Sequence, residues 1–197
     1  MKKQILLLSF FLFLSNIYAG EYLLSTEKCS TFNSFSSTMS PAKIEIRHST
    51  DLPERYLFKY KSVYFTLDDE AMKNFRAAIE KYYEWEEIAI KNEATIEKAI
   101  PIRITVGALW SSWDDETCLG TGEFYFTFFS QNTKRHQFVI SSTKIDDVLS
   151  QYRDTTLDNL YFDKLEVDQL YKDISEETLK ANLDKVKKQQ DVESLFN

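Results

Sequence analysis

Apolar and polar residues follow a helical period between Asp68 and Asn92. Apolar side chains recur there every three or four positions, and charged side chains fall on the opposite face. No glycine or proline interrupts the stretch, and Asp69 and Glu70 add negative charge at its start, where the helix dipole is positive. The pattern predicts one long amphipathic helix that covers an apolar surface.

Five other stretches have the composition or the alternation of β-strands. They are residues 42–48, 55–67, 102–106, 123–130 and 137–142. The second is dense in Tyr, Phe and Val and is interpreted as one long strand, while the fourth is aromatic on both faces. The last three follow one another along the chain, which predicts a three-stranded antiparallel meander.

The sequence before and after these stretches is less regular. Residues 20–42 are rich in Ser and Thr and are expected to form an irregular N-terminal arm. Residues 145–152 carry apolar side chains that suit a short helix, and residues 159–162 suit a brief strand. Ser175 stands before two glutamates, which predicts the N-cap of a final helix.

These elements together predict an α+β fold. Residues 20–197 are expected to form a single domain, in which a mostly antiparallel sheet of about five strands packs on the one long amphipathic helix, with a further helix at the C-terminus. Neither an internal repeat nor a linker divides the sequence. Aromatic residues make up 15% of the chain, which argues against an intrinsically disordered protein.

Residues 1–19 have the layout of a secretory signal peptide. A pair of lysines precedes an apolar run over residues 5–14, and Ala19 is a small residue at the expected cleavage position. The run is shorter than the roughly 20 apolar residues that cross a bilayer. The pattern predicts export from a bacterial cytoplasm. The mature protein is therefore expected in the periplasm or outside the cell, without an integral membrane segment.

The sequence contains two cysteines, Cys29 and Cys118. An exported protein folds in an oxidising compartment, where thiols usually pair. Two cysteines allow one pairing, so the sequence predicts a Cys29–Cys118 disulfide; two unpaired thiols are the alternative. The cysteines form no C-x-x-C pair, which argues against redox catalysis.

Charge and composition argue against several classes of function. The formal net charge is −7, which disfavours nucleic acid and anionic lipid as partners because both bind basic surfaces. The chain has 4 glycines, too few for a glycine-rich phosphate loop. His48 and His136 belong to no zinc-binding motif, so neither a metal nor another cofactor is expected.

The most unusual stretch is WSSWDDETC, residues 110–118. Aromatic rings beside carboxylates are common on surfaces that bind sugars or peptides, where the rings stack on the ligand. The candidate binding residues are Trp110, Trp113, Asp114 and Asp115. The alternative is that the rings belong to the core and the acids form a solvated turn. Continuing the alternation of the preceding strand turns Trp110 inward and leaves Trp113 at the surface.

Glu86 interrupts the apolar face of the predicted long helix. A carboxylate in that position needs a hydrogen bond or an ionic partner, because an unpaired buried charge is costly. A tyrosine hydroxyl or Arg103 would satisfy it structurally. The functional alternative is a binding or catalytic acid in a cleft.

No motif assigns an enzymatic activity, and three hypotheses follow. The first is an exported envelope protein that serves as a non-enzymatic binding or accessory domain for an envelope protein, a peptide or a glycan. The second is an envelope hydrolase that pairs Glu86 with one acid of residues 114–116, which requires carboxyl groups roughly 5–10 Å apart. The third is a structural subunit of an envelope assembly, which predicts an exposed apolar patch.

Overall fold

The computed structural model describes residues 21–33, 36–49, 55–112, 116–150 and 152–194. The strands are β1 (Glu21–Asn33), β2 (Thr38–Ser49), β3 (Arg55–Tyr60), β4 (Val63–Asp68), β5 (Glu97–Ser111), β6 (Thr117–Asn132), β7 (Arg135–Ser142), β8 (Ile145–Asp146), β9 (Asp154–Thr155) and β10 (Leu160–Asp163). The helices are α1 (Asp69–Lys91), α2 (Lys164–Asp173) and α3 (Glu176–Ser194). The predicted signal peptide, residues 1–19, lies outside the described residues.

Eight of the strands form a single antiparallel sheet that closes into a barrel. The strand order is β1–β10–β7–β6–β5–β4–β3–β2, and β1 completes the closure by pairing with both β2 and β10. Strands β8 and β9 pair with each other as a separate small sheet. This architecture corrects the expectation of about five strands packed on one long helix, while the mixture of helix and sheet is confirmed.

Two segments explain why the strand number was underestimated. The predicted N-terminal arm, residues 20–42, contains β1 and the start of β2, which pair along almost their whole length. The predicted single strand 55–67 is a hairpin, because Lys61 adopts a positive φ of 52° and turns the chain between β3 and β4. In both segments, pairing between strands orders residues that show no clear alternation of apolar and polar side chains.

The predicted short helix over residues 145–152 is also wrong. Ile145 and Asp146 form strand β8 instead, and Ile145 is completely buried. A Cβ atom added to either Gly120 or Gly122 would lie 2.5 Å from the Ile145 side chain. Glycine at these two positions of β6 therefore lets β8 approach closely enough to pack on the sheet.

The long helix is confirmed as α1, and its start is capped by Asp68, whose carboxylate accepts a hydrogen bond from the Ala71 N–H at 2.8 Å. Its apolar face packs on aromatic side chains of the sheet. The Phe75 ring stacks on Phe126 and Phe138, with centroids 5.4 and 6.4 Å away. Helix and barrel therefore share one core.

Two helices follow the last barrel strand. The sequence did not predict α2, which starts with a hydrogen bond of 2.9 Å from the Asp163 N–H to Glu166 and buries Val167 and Leu170. Helix α3 begins after Ser175, whose hydroxyl caps it as predicted. Within the described ranges, no helix has the length and the apolar character needed to cross a membrane.

The predicted Cys29–Cys118 disulfide is wrong, since both thiols are free and buried. Cys29 lies on β1 and Cys118 on β6, and strands β10 and β7 stand between them. Neighbouring strands are ~4.8 Å apart, whereas the Cα atoms of a disulfide lie within ~7 Å of each other. Burial, followed by the nearby Glu166 carboxylate, raises the pKa of Cys29 to about 12, which keeps this thiol protonated.

Candidate functional site

The candidate residues fall at opposite ends of the long strand β6. Trp110 lies opposite Cys118 at the start of this strand. Glu86 lies on α1 beside Tyr82, whose ring packs on Phe128 near the other end of the strand, with centroids 5.7 Å apart. These two positions on β6 are about 30 Å apart, at ~3.3 Å per residue. Trp110 and Glu86 therefore do not line a common pocket.

One end of the molecule carries the Glu86 cluster, a group of polar side chains between α1, α2 and the β6–β7 hairpin. Its members are Tyr82, Glu86, Ser130, His136 and Lys164. Glu86 is 8% exposed and accepts a hydrogen bond from the Tyr82 hydroxyl at 3.0 Å, and its other oxygen lies 3.3 Å from Lys164 Nζ. A tyrosine is thus one of its partners, whereas Arg103 pairs with Glu123.

Ser130 and His136 complete this cluster inside the protein. The Ser130 hydroxyl lies 2.8 Å from His136 Nδ1, and the two residues are 6% and 3% exposed. The imidazole stacks on Phe128 with centroids 5.4 Å apart, and its Nε2 has no hydrogen-bond partner among the described residues. A serine nucleophile needs an accessible hydroxyl and an acid behind the histidine, and this pair has neither.

The Glu86 cluster joins three elements, and its Glu86, Tyr82 and Ser130 side chains have partners within it. Burial, reinforced by Glu86, raises the pKa of Tyr82, so its hydroxyl stays protonated and remains a donor. Lys164 Nζ lies 3.9 Å from the centroid of the Tyr83 ring, which adds a cation–π contact. The arrangement fixes α1 and α2 to the barrel around a Glu86 that is 8% exposed.

The opposite end, called the Trp110 end, comprises residues 110–112, 116–120, 143–150 and 152–155. Trp110 is 6% exposed and belongs to the same core cluster as Val106, on the inward side that the strand alternation predicts. Trp113, Asp114 and Asp115 lie outside the described residues. Their proposed contact with a ligand stays a prediction.

Hydrogen bonds of backbone groups hold the loop after β8 against the Trp110 end. The buried Asp147 carboxylate accepts hydrogen bonds from the N–H groups of Leu119 and Leu149, at 3.3 and 3.2 Å. The Val148 N–H donates to the Leu119 carbonyl at 2.7 Å. These bonds hold residues 147–149 against β6.

This loop presents apolar side chains to the solvent. Val148, Leu149 and Tyr152 are 53%, 55% and 87% exposed. They border a shallow cleft of about 650 Å³, whose polar lining is Asp146, Asp147 and Ser150. The sequence interpretation missed this surface because it assigned the apolar residues to the buried stripe of a helix. The Ser, Asp and Gln residues between them are the signal for a loop.

Glu27 is a second residue that the sequence interpretation missed. It lies on β1, is 1% exposed and has one carboxyl oxygen without a hydrogen-bond partner among the described residues. Burial raises the pKa of Glu27 to about 7; the Asp173 carboxylate adds to the rise and the Ser25 hydroxyl opposes it. No periodic apolar face surrounds Glu27 in the sequence, so nothing there marks it as buried.

No three His, Cys, Asp or Glu side chains in the described part of the chain are placed to hold a metal ion together. No protein-family model matches the sequence, and neither a curated protein nor a solved structure is significantly similar to it. The function is therefore inferred from the residues of this chain alone.

Proposed function

We propose that the protein is an exported bacterial envelope protein, a non-enzymatic binding or accessory domain that docks on a partner protein through its Trp110 end. The observation that carries the proposal is the exposure of Val148, Leu149 and Tyr152 on one anchored loop. Single exposed apolar side chains are normal on soluble proteins, whereas three within five positions form a patch. Such patches mark protein interaction sites.

The charges around this patch point to an apolar contact rather than an ionic one. Lys144 Nζ lies 2.8 Å from Asp146 and 3.0 Å from Asp154, and Arg153 pairs with Glu116. Asp146, Asp154 and Glu116 are therefore already paired within the protein itself, although two cations do not balance all of the negative charge beside the loop. A complementary partner surface presents apolar side chains, with Trp113 as a further ring available to it if that ring faces the solvent.

The geometry does not support the carboxylate hydrolase. That mechanism needs two carboxyl groups roughly 5–10 Å apart across a cleft. Glu86 is buried beside Tyr82, and Glu116 forms its ion pair at the opposite end of β6. The hypothesis of a structural assembly subunit is compatible with the docking proposal, since both require a partner protein on the exposed apolar patch.

A photo-crosslinking experiment tests the docking surface. A benzophenone amino acid replaces Leu149 or Tyr152 in cells that produce the full chain. Leu165 is the matched control because it is an exposed leucine, at 82%, that lies on α2 and not on this loop. The expected result is one discrete adduct from positions 149 and 152, absent at 165 and abolished by Val148→Ser. Equal adducts at all three positions, or none at 149 and 152, would overturn the docking surface.

Export is tested separately, because it rests on residues 1–19. A fusion of the full chain to a phosphatase that is active only outside the cytoplasm should be active. Leu8→Arg puts a charge in the middle of the apolar run and should abolish this activity, whereas Gln4→Arg, which extends the basic start, should leave it unchanged. An active fusion with Leu8→Arg would show that the apolar run is not an export signal.

A further inference from the structure

One edge of strand β2 is paired along only part of its length. The whole of β2 pairs with β1 on one side, whereas β3 pairs with the other side only from Glu45 to His48. Residues 38–44 therefore have no second strand partner among the described residues. Because alternate residues of a strand direct their N–H and C=O groups to the same edge, this segment presents unpaired backbone donors and acceptors.

A groove of about 370 Å³ lies beside this free edge, where the turn after β3 leads the chain away from β2. Three of its lining side chains are lysines, namely Lys43 on β2, Lys59 on β3 and Lys61 in the turn after β3. Pro41 and Tyr60 add apolar surface to the lining. A segment placed in this groove would contact both the free edge and the lysines.

The charges around the groove leave a positive excess. The charged side chains of the lining and their ion-paired neighbours comprise four cations, Lys43, Lys59, Lys61 and Arg47, and three acids, Glu21, Glu45 and Asp158. Arg47 pairs with Glu45 at 2.8 Å, and Lys61 pairs with Asp158 at 2.7 Å. Neither Lys43 nor Lys59 forms an ion pair with any described residue. Lys59 Nζ lies 5.0 Å from the centroid of the Tyr64 ring, a contact that leaves its charge in place.

A further lysine increases the positive charge beside the free edge. Lys28 on β1 lies directly opposite Lys43 on β2, and like charges in this arrangement destabilise a strand pair. The charge of Glu166 acts on Lys28, but the two side chains form no ion pair within the described part of the chain. The patch is positive although the formal net charge of the chain is −7. A negatively charged ligand would relieve the repulsion between the two lysines.

We propose that this edge binds an extended acidic segment of another protein, which adds to the barrel sheet as a further strand beside residues 38–44. Hydrogen bonds to the free backbone groups of β2 hold the segment in register. Glu45 lies opposite Lys59 and two positions from Lys43, so both lysines stand on the same face of the sheet. Acids at alternate positions of the segment share one face and meet these lysines. The site is independent of the Trp110-end loop, since none of its residues belongs to that loop.

The same side chains disfavour a second copy of this chain as the occupant. Lysine and proline on an exposed strand edge discourage pairing between identical edges. A symmetric pair of β2 edges would bring the Lys43 side chains of both copies into one sheet, where their charges repel. Pro41 has no N–H, so it also removes one backbone donor from the strand. The edge therefore selects a strand of opposite charge.

Binding of a synthetic peptide tests the charge recognition. The probe is a capped, fluorescently labelled peptide of alternating glutamate and threonine, titrated with the full chain and followed by anisotropy. Binding should weaken as salt rises, and a probe with lysine in place of glutamate should not bind. Lys43→Gln and Lys59→Gln should each weaken binding about threefold, and the double variant about tenfold. The matched control Lys134→Gln, at an exposed lysine between β6 and β7, should leave binding unchanged.

Methylation of the peptide backbone separates strand addition from simple attraction of charge. Two versions of the probe carry N-methyl groups, one on every glutamate and the other on every threonine. Because an added strand turns only one of its edges to the protein, one version should lose binding and the other should keep it. Equal binding of the two methylated probes, equal binding by Lys43→Gln and the native chain, or a dimer of the free protein in sedimentation that the probe does not dissociate would each overturn the proposal.

Discussion

Glu86 and Glu27 are both glutamates buried in the core, and their surroundings are opposite. Glu86 accepts a hydrogen bond from the Tyr82 hydroxyl at 3.0 Å, and Lys164 Nζ lies 3.3 Å from its other carboxyl oxygen. Glu27 has one oxygen without a partner among the described residues, and burial, with a further contribution from the Asp173 carboxylate, raises its pKa. The comparison shows that burial alone does not define the role of an acid. A satisfied carboxylate joins elements together, while an unsatisfied one makes the stability of the fold depend on pH.

The largest effect should come from the aromatic partner of Glu86. Tyr82→Ala removes a fully buried ring and should lower the free energy of unfolding by ~4 kcal/mol, as measured by denaturant melts at pH 7. The matched change Tyr152→Ala, at the Trp110 end, removes a ring that is 87% exposed and should cost less than ~0.5 kcal/mol. Similar losses in the two variants would contradict the assignment of one ring to the core and the other to the surface.

The next effect has the opposite sign and belongs to Glu27. Because folding raises the pKa of Glu27 from 4.5 to about 7, the native protein loses stability as the pH rises through this window. Glu27→Gln should therefore be more stable than the native chain by about 3 kcal/mol at pH 8 and equally stable at pH 4. Denaturant melts at the two pH values measure this difference, and a variant that is less stable at pH 8 would contradict it.

Tyr82→Phe tests the hydrogen bond without removing the ring. The change leaves Glu86 without its hydroxyl donor and removes a bond of 3.1 Å to the His136 carbonyl, so it should cost about 2 kcal/mol. Tyr171→Phe is the control, since its bond to the exposed Glu80 can be replaced by water. Equal losses in both variants would mean that the burial of Glu86 contributes nothing to the strength of its bond.

The smallest effect should come from the cation beside Glu86. Lys164 is 46% exposed, so solvent and salt screen its charge. Lys164→Met keeps the length of the side chain and should lower the free energy of unfolding by less than ~1 kcal/mol, with a smaller loss at high salt. A larger loss, independent of salt, would show that the ion pair behaves as a buried one.

The sequence revealed the parts of the fold that have their own periodicity. The helix α1 and the three strands β5, β6 and β7 are found where their patterns predict them. Strand β1 was missed because residues 20–42 carry no clear alternation of their own, and their order comes from pairing with β2 and with the distant β10. The β3–β4 hairpin was missed because its turn uses Lys61 in a left-handed conformation rather than glycine.

The same reasoning explains which candidate residues were found. Glu86 stands out because it breaks a regular apolar face, and the structure places it in the core with a tyrosine partner. Glu27 stands in a polar stretch, where one more acid breaks no pattern, so its burial follows only from the barrel closure. The exposed loop at the Trp110 end was missed because its apolar residues have the spacing of a buried helix face.

The closure of the barrel also sets the order in which the chain can assemble. Strand β1 is among the first described residues, yet β10 meets it only at Ser30–Tyr161 and Thr31–Leu160. Contacts between residues so distant in sequence form late, because the chain between them must first be ordered. During synthesis, the edge of β1 that pairs with β10 stays open until almost the whole chain has been made. In this interval the protein is most exposed to strand pairing with another copy of itself.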